Sequence, residues 1–169
     1  MKAVLALCLA LCLALFAGSA TAADFVPGDP APVSGRYFTR DGAEVTLKDV
    51  SGPITLLHFW ASWCASCREE FPALDRLQRD LGKEGLKVVT VSIDRMGWPV
   101  IDKTIEKLQV RDALVLHDRN RDSAQDLKIE ALPTTLLIDS AGREVARLKG
   151  SGDWDDAALR QRLRTLTGR

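Results

Sequence analysis

The sequence has no excess of either charge, because its 169 residues include 23 lysines and arginines and 23 aspartates and glutamates. The two signs are interleaved along the chain. A surface that binds nucleic acid needs a local excess of positive charge. We therefore interpret the charged residues as a solvated surface and exclude nucleic acid as a partner.

Residues that ligate metals are also scarce, since the chain has four cysteines and two histidines. Cys8 and Cys12 lie in an apolar N-terminal stretch and are interpreted as apolar filling residues. The candidate ligands outside that stretch are Cys64, Cys67, His58 and His117. Their spacing does not match a zinc site, which needs about four ligands at regular intervals. We predict no metal site and no cofactor.

The first 22 residues have the features of a secretory signal peptide. Lys2 is followed by an uninterrupted apolar run, residues 3–17, and then by an A-x-A site that ends at Ala22. The alternative is an uncleaved membrane anchor, since residues 3–23 carry no charge and about 20 apolar residues span a bilayer. Both interpretations predict an exported or periplasmic protein, either soluble after cleavage or anchored to the inner membrane.

The remainder of the chain is predicted to be a linker, residues 23–34, and one domain, residues 35–169. The linker is rich in proline and has no hydrophobic periodicity. In the domain, strand and helix patterns alternate after a β-hairpin around Asp41-Gly42, which predicts an α/β fold with a central mixed sheet flanked by helices. Asp153 is predicted to cap the closing helix. The predicted strands are 54–60, 86–93, 114–116, 134–138 and 144–148, and the predicted helices are 68–81, 100–108, 121–127 and 153–166.

Cys64 and Cys67 form a C-x-x-C motif between the first buried strand and the helix that follows it. At a helix N-terminus the unpaired N–H groups and the macrodipole stabilise an anion, so we expect Cys64 to ionise more readily than a free thiol. Two thiols at this spacing can open and close as a disulfide, which predicts thiol-disulfide exchange. A purely structural disulfide is the alternative, although bridging so short a loop removes little entropy from the unfolded chain.

Several landmarks occur in order along the chain: FWASWCASCR at residues 59–68, EFP at 70–72, LPT at 132–134, LID at 137–139 and GDW at 152–154. Together they resemble the thioredoxin superfamily, and within it the exported TlpA, ResA and CcmG group of thiol-disulfide oxidoreductases. The match runs from about residue 38 to residue 163 and includes a long insert between Ile93 and Leu114. The resemblance implies a thioredoxin-like fold with a central insert.

The resemblance also implies roles for individual residues. Cys64 attacks a substrate disulfide and Cys67 resolves the mixed disulfide, so that the pair alternates between a dithiol and a redox-active Cys64–Cys67 disulfide. The bond between Leu132 and Pro133 corresponds to the family's cis-proline, where the preceding residue presents its backbone to the substrate. Trp63 is expected at the rim of the site.

Residues around the motif raise two further questions. Ala65 and Ser66 stand where many family members have a proline before the second cysteine, which leaves the redox potential open. His58 occupies the strand position where thioredoxins place a buried acid, and it either relays a proton to Cys67 or is a neutral, hydrogen-bonded core residue. Glu70 matches an acidic residue whose carboxylate would oppose thiolate formation and tune the pair; the alternative is an exposed side chain on the helix surface.

The predicted function is reduction of disulfides in exported proteins, in a process such as maturation of cytochrome c or of copper centres. The partners implied are a protein disulfide substrate and a membrane thiol-disulfide electron donor, and we expect a monomer. A thioredoxin-like copper-binding chaperone without exchange activity is the alternative, since two thiolates and a histidine suit a soft metal. That group has C-x-x-x-C spacing. The direction of exchange is left open, because a shift of about 30 mV in the reduction potential of the cysteine pair corresponds to only about 1.4 kcal/mol.

Overall fold

The structure, a computed structural model, describes residues 25–28 and 33–168. Within these residues one sheet contains eight strands: β1 (Val26–Pro27), β2 (Arg36–Phe38), β3 (Glu44–Thr46), β4 (Ile54–Trp60), β5 (Leu86–Ser92), β6 (Leu114–His117), β7 (Thr134–Asp139) and β8 (Glu144–Lys149). The α-helices of the same residues are α1 (Leu47–Val50), α2 (Ala65–Leu81), α3 (Trp98–Lys107), α4 (Asp122–Asp126) and α5 (Ala157–Thr167).

The strands lie in the order β1-β8-β7-β4-β5-β6-β2-β3. β4 is central, runs parallel to β5 and antiparallel to β7, and is buried along its whole length. A short apolar run without alternation is typical of such a strand, because helices cover both of its faces. The predicted α/β architecture with a central mixed sheet is therefore confirmed.

The predicted N-terminal hairpin is also confirmed, since β2 and β3 pair in antiparallel fashion. Gly42 in its turn has a φ of +89°, a value that glycine adopts without steric cost. β7 and β8 form a second antiparallel hairpin. The central insert contains α3 and connects β5 to β6. Helix boundaries differ from the predicted ones by a few residues, because periodicity does not define the terminal turns.

Two hydrophobic clusters fill the core. The first includes Cys64 and Cys67 together with Trp60 and Phe71. The second packs the later turns of α2, Trp154 and the apolar face of α5 against the sheet. Full burial of one large apolar side chain contributes about 1.5–3 kcal/mol. These contacts fix α2 along the sheet, so that its N-terminus stays at the end of β4.

One part of the predicted linker is a strand. Val26 pairs with Arg147 and Pro27 pairs with Ala146, so that β1 forms one edge of the sheet. Proline is compatible with this position because an edge strand leaves one side of its backbone unpaired. The folded unit therefore begins before residue 35, the predicted boundary.

The closing helix begins later than predicted. α5 starts at Ala157 with Asp156 as its N-cap, whose carboxylate accepts the Leu159 N–H at 2.7 Å. Asp153, the predicted cap, instead lies in a turn that its carbonyl closes by accepting the Asp156 N–H at 3.2 Å. Trp154, the residue after Asp153, is buried in the second hydrophobic cluster, so this turn packs on the core before the helix begins.

The predicted signal peptide or membrane anchor, residues 1–22, lies outside the described residues. Among the helices of the described part, none combines the length and the apolar composition needed to cross a membrane.

Candidate functional site

The C-x-x-C motif lies where the central strand gives way to a helix. After β4 a short turn leads to Cys64, which is the N-cap of α2. Cys64 and Cys67 are joined by a disulfide bond, with their Cα atoms 5.3 Å apart. The N–H of Cys67 donates to the Cys64 Sγ at 3.3 Å. The same N–H can stabilise negative charge on Cys64 once the disulfide is opened.

The two cysteines differ in their access to solvent. Cys64 is 7 % exposed, whereas Cys67 is fully buried. Trp63, the residue before Cys64, is 67 % exposed. An incoming sulfur can thus approach Cys64 but not Cys67. The attacking and resolving roles require this asymmetry, and the roles themselves remain predictions.

No motif in the sequence points to Asp94, yet it anchors the turn before Cys64. Its carboxylate accepts hydrogen bonds from the Ser62 N–H at 2.8 Å, the Ser62 hydroxyl at 2.7 Å and the Ser92 hydroxyl at 2.8 Å. Asp94 follows β5, and the carboxyl ends of the parallel strands β4 and β5 meet at one edge of the sheet. Its position after a buried strand was the signal available in the sequence.

We expect Asp94→Ala to lower the free energy of unfolding by about 1–3 kcal/mol, because it leaves the buried Ser92 hydroxyl and the half-buried Ser62 donors without their acceptor. It should also loosen the turn that carries Trp63. Urea unfolding measures the first effect, and the NMR line width of the Trp63 indole signal measures the second. Asp126→Ala is the control, since Asp126 is exposed. Equal losses in both variants would contradict the anchoring role.

The peptide bond between Leu132 and Pro133 is cis, as the resemblance implied. Thr134 begins β7 and pairs with Phe59 near the end of β4, so this bond lies at the end of the sheet that carries the motif. Leu132 packs against the cluster that contains both cysteines. The Pro133 carbonyl accepts the Gly150 N–H at 2.9 Å. The structure thus brings the loop to the site, and its part in substrate binding remains a prediction.

Glu70 is buried, which contradicts the alternative of an exposed side chain on the helix surface. It follows Cys67 by three residues on α2, so the two side chains share a helix face. Its Oε1 accepts hydrogen bonds from the Trp154 Nε1 at 2.9 Å and from the Gly152 N–H. Burial raises the pKa of Glu70 to about 7, against the opposing effect of these two hydrogen bonds. The carboxyl group therefore titrates in a range suited to proton exchange with a thiol.

His58 lies in β4 and is completely buried. Its Nδ1 is 2.9 Å from the Thr135 Oγ1 on β7, and its ring meets Phe71 and Trp154 edge-on, each at a centroid distance of 6.3 Å. Burial lowers the pKa of His58 to about 3, so the ring is neutral at neutral pH. These contacts match a neutral, hydrogen-bonded core histidine. In the described part of the chain, no hydrogen bond joins it to Cys67.

His58 and Glu70 face each other through atoms that lack other partners. The His58 Nε2 lies 3.8 Å from the Glu70 Oε2, and neither atom has a hydrogen-bond partner among the described residues. Because burial favours the neutral form of both groups, the proton resides on the carboxyl group below about pH 7. Titratable groups whose pKa values are pushed apart are typical of acid–base sites.

The arrangement of His58 also bears on copper binding. One ring nitrogen lies against Thr135 and the other faces Glu70. A site built from the two thiolates would therefore lack this histidine as a ligand.

The residues that contact His58 and Glu70 could not be recognised from the local sequence around these two residues. Thr135 is 77 residues from His58, and Trp154 is 84 residues from Glu70. The landmarks LPT and GDW, which adjoin or contain these residues, were the available signals. They indicated a matched segment without indicating its contacts.

A family model described as the AhpC/TSA family matches residues 27–145. Among curated proteins, the thiol-disulfide oxidoreductase ResA of Oceanobacillus iheyensis is 33 % identical over 102 residues, which are 60 % of this chain and 52 % of that protein. ResA of Geobacillus thermodenitrificans is 29 % identical over 149 residues, covering 86 % of this chain and 76 % of that protein. The chain spans about half of the first of these relatives and 62 % of two from Bacillus.

Solved structures show the same fold. A putative thiol:disulfide interchange protein DsbE from Chlorobium tepidum superposes with a TM-score of 0.71 and 29 % identity, over 86 % of this chain and 100 % of that chain. The thioredoxin domain of a thiol-disulfide oxidoreductase from Bacteroides vulgatus gives a TM-score of 0.69 and 25 % identity, over 84 % and 98 % of the two chains. The predicted thioredoxin-like fold is confirmed.

Proposed function

Since the chain belongs to the AhpC/TSA family, we propose that it is a thiol-disulfide oxidoreductase that reduces disulfides of other proteins. The observation that carries the proposal is the Cys64–Cys67 disulfide at the N-terminus of α2, in which Cys64 keeps a small exposed fraction and Cys67 is fully buried. The relatives are named thiol-disulfide oxidoreductase and thiol:disulfide interchange protein, and these names support the same activity.

In the proposed reaction, the dithiol form transfers two electrons to a substrate disulfide. The Cys64 thiolate attacks one substrate sulfur, so that a mixed disulfide forms while the substrate S–S bond breaks and its other sulfur leaves as a thiolate that takes up a proton. Cys67 then loses its proton and attacks the Cys64 sulfur. The second substrate thiol departs, and the Cys64–Cys67 disulfide remains.

We assign the proton that Cys67 loses to Glu70. A carboxylate one helical turn from Cys67, with a pKa raised to about 7, is a stronger base than an ordinary glutamate. His58 acts through Glu70, because its neutral ring excludes water from the second carboxylate oxygen. In this proposal Glu70 and His58 together set the pH at which Cys67 resolves the mixed disulfide fastest.

The proposal includes an exported location and a reducing partner. Residues 1–22 carry the signal-like pattern, and in an oxidising compartment the dithiol has to be regenerated by a membrane thiol-disulfide electron donor that supplies two electrons. The resemblance to TlpA, ResA and CcmG supports a place in the maturation of cytochrome c or of copper centres. One chain carries both sulfurs, so we propose that a monomer is active.

The test is reduction of insulin by the dithiol form, followed through the thiols that appear on the insulin chains. We expect transfer of two electrons per chain, and no transfer by the double variant Cys64→Ser/Cys67→Ser. Absence of transfer by the wild-type dithiol would overturn the proposal. If that protein instead bound one Cu(I) per chain tightly, the copper chaperone would be the better assignment.

A further inference from the structure

A surface cavity beside the disulfide takes no part in the chemistry described above. Its volume is about 390 Å³, and Ser62 and Trp63, the two residues before Cys64, form part of its wall. We propose that it binds a substrate segment carrying an apolar and an acidic side chain next to the cysteine under attack. This inference rests on the proposed exchange activity and names the substrate feature that the site recognises. The other lining residues used below are Ile93, Asp94, Arg95, Met96, Val100 and Arg121.

The cavity is bordered by the two most exposed large apolar side chains of the described residues. Trp63 is 67 % exposed and Met96 is 75 % exposed. Ile93 and Val100 extend the apolar surface into the cavity. Clustered apolar side chains at a surface mark sites of interaction, and the flexible thioether of methionine adapts to differently shaped partners. The apolar part of the cavity therefore suits an aliphatic side chain of a protein substrate.

The same cavity carries two guanidinium groups that lack a carboxylate partner. Arg95 and Arg121 form no ion pair with any described residue, whereas Arg76 and Arg143 pair with aspartates elsewhere on the surface. The Arg121 Nε is buried and has no hydrogen-bond partner among the described residues. The cavity therefore carries guanidinium charge that no carboxylate of the described residues pairs, and this charge is available to a carboxylate of another molecule.

The cavity wall contains two guanidinium groups and one carboxylate, that of Asp94, so its net charge is positive. Asp94 lies in the wall, but its carboxylate accepts hydrogen bonds from Ser62 and Ser92. Asp122, which follows Arg121 in the chain, accepts a hydrogen bond from Asn120 instead. The cavity thus presents positive charge beside apolar surface, which is complementary to an acidic residue that neighbours an aliphatic one.

The position of the cavity restricts where the recognised side chains lie in the substrate. Trp63 is directly before Cys64 in the chain, so a substrate sulfur that reaches Cys64 brings the residues beside it to the cavity. The cavity therefore binds the residues that immediately neighbour the substrate cysteine. The apolar neighbour lies against Trp63 and Met96, and the acidic neighbour is attracted by Arg95 and Arg121 together, so that the preference requires both charges.

Two short peptides test the inference, each with one cysteine blocked as a thiopyridyl disulfide and with leucine on one side of that cysteine. On the other side, one peptide carries glutamate and the other carries lysine. The Cys64 thiolate displaces pyridinethione, whose absorbance is followed by stopped flow, and Cys67 then releases the peptide thiol. We expect the reduced protein to attack the acidic peptide about tenfold faster at low ionic strength, with the advantage falling as salt is added.

Variants locate the preference. Arg95→Glu should remove it, as should Arg121→Asn, in which asparagine tolerates the φ of 64° at this position. Met96→Ser should slow the attack on both peptides. Arg162→Glu is the matched control, because it makes the same charge change on an exposed residue of α5 and should keep the preference.

The neutral compound dithiodipyridine separates this inference from the proposed function. If the wild-type dithiol fails to react with it, the proposed function is wrong. If the wild-type dithiol reacts normally with dithiodipyridine but attacks the two peptides at equal rates, the proposed role of the cavity is wrong and the proposed function stands. A preference that survives in Arg95→Glu also rejects it, and this single variant suffices should Arg121→Asn fail to fold.

Discussion

Replacing Cys67 with serine is expected to turn the protein from a catalyst into a trap for its substrates. The Cys64 thiolate of Cys67→Ser can still attack a substrate disulfide, but a hydroxyl group cannot resolve the mixed disulfide that forms. Because Cys64 is the accessible sulfur, each trapped complex should contain a Cys64–substrate bond. Non-reducing gels of envelope extracts, followed by mass spectrometry of the shifted bands, would identify both the complexes and the substrates.

Cys64→Ser is the matched control, since it makes the same change of sulfur to oxygen one helical turn away. This variant should trap nothing and lose turnover entirely, because the buried Cys67 thiol cannot reach a protein disulfide. Complexes formed by Cys64→Ser and absent from Cys67→Ser would reverse the assigned roles.

Single substitutions at His58 and Glu70 are expected to give the free energy of unfolding opposite pH slopes. In Glu70→Gln the histidine remains; its pKa is 6.5 when unfolded and about 3 when folded. The unfolded chain then binds more protons between these values. The free energy of unfolding should therefore rise with pH across this window, by about 5 kcal/mol in total.

In His58→Gln the carboxyl group remains; its pKa is 4.5 when unfolded and about 7 when folded. The folded protein then binds more protons between these values. The stabilisation is fully present below pH 4.5 and should be lost as the pH rises to about 7, by about 3 kcal/mol.

The wild-type protein should show neither slope between pH 4.5 and 6.5, because the two contributions cancel there. Urea unfolding of these three proteins and of the double variant His58→Gln/Glu70→Gln at a series of pH values measures this, and subtracting the curve of the double variant removes the contribution of all other titratable groups. Curves parallel to the wild type would contradict the assignment.

Local patterns in the sequence were sufficient for the elements that carry the sulfurs. Residues 54–60 are a short apolar run followed by the C-x-x-C motif and an amphipathic helix, and each of these features depends only on near neighbours. The same holds for the hairpin at Asp41-Gly42. The predicted strand, turn and helix therefore agree with the structure in kind and in order.

Features that depend on distant contacts could not be predicted in this way. Asp153 and Asp156 are equally good capping residues, and the choice between them follows from the bond between Trp154 and Glu70 on another helix. The two residues of β1 are too few for a periodic pattern, and their pairing with β8 is the only feature that makes them a strand. The burial of Glu70 likewise depends on residues far along the chain.

The two hydrogen bonds to Glu70 connect α2, the helix that begins at the disulfide, with the segment that leads into α5. The Gly152 N–H and the Trp154 indole both donate to one carboxyl oxygen, and such donors bind a carboxylate more strongly than a carboxylic acid. Coupling of this kind is reciprocal, so ionisation of Glu70 tightens the segment and opening of the segment favours protonation. We therefore expect hydrogen exchange at the Gly152 amide to follow the ionisation of Glu70, and a truncation or fusion that loosens α5 to change the protonation of Glu70 beside the disulfide.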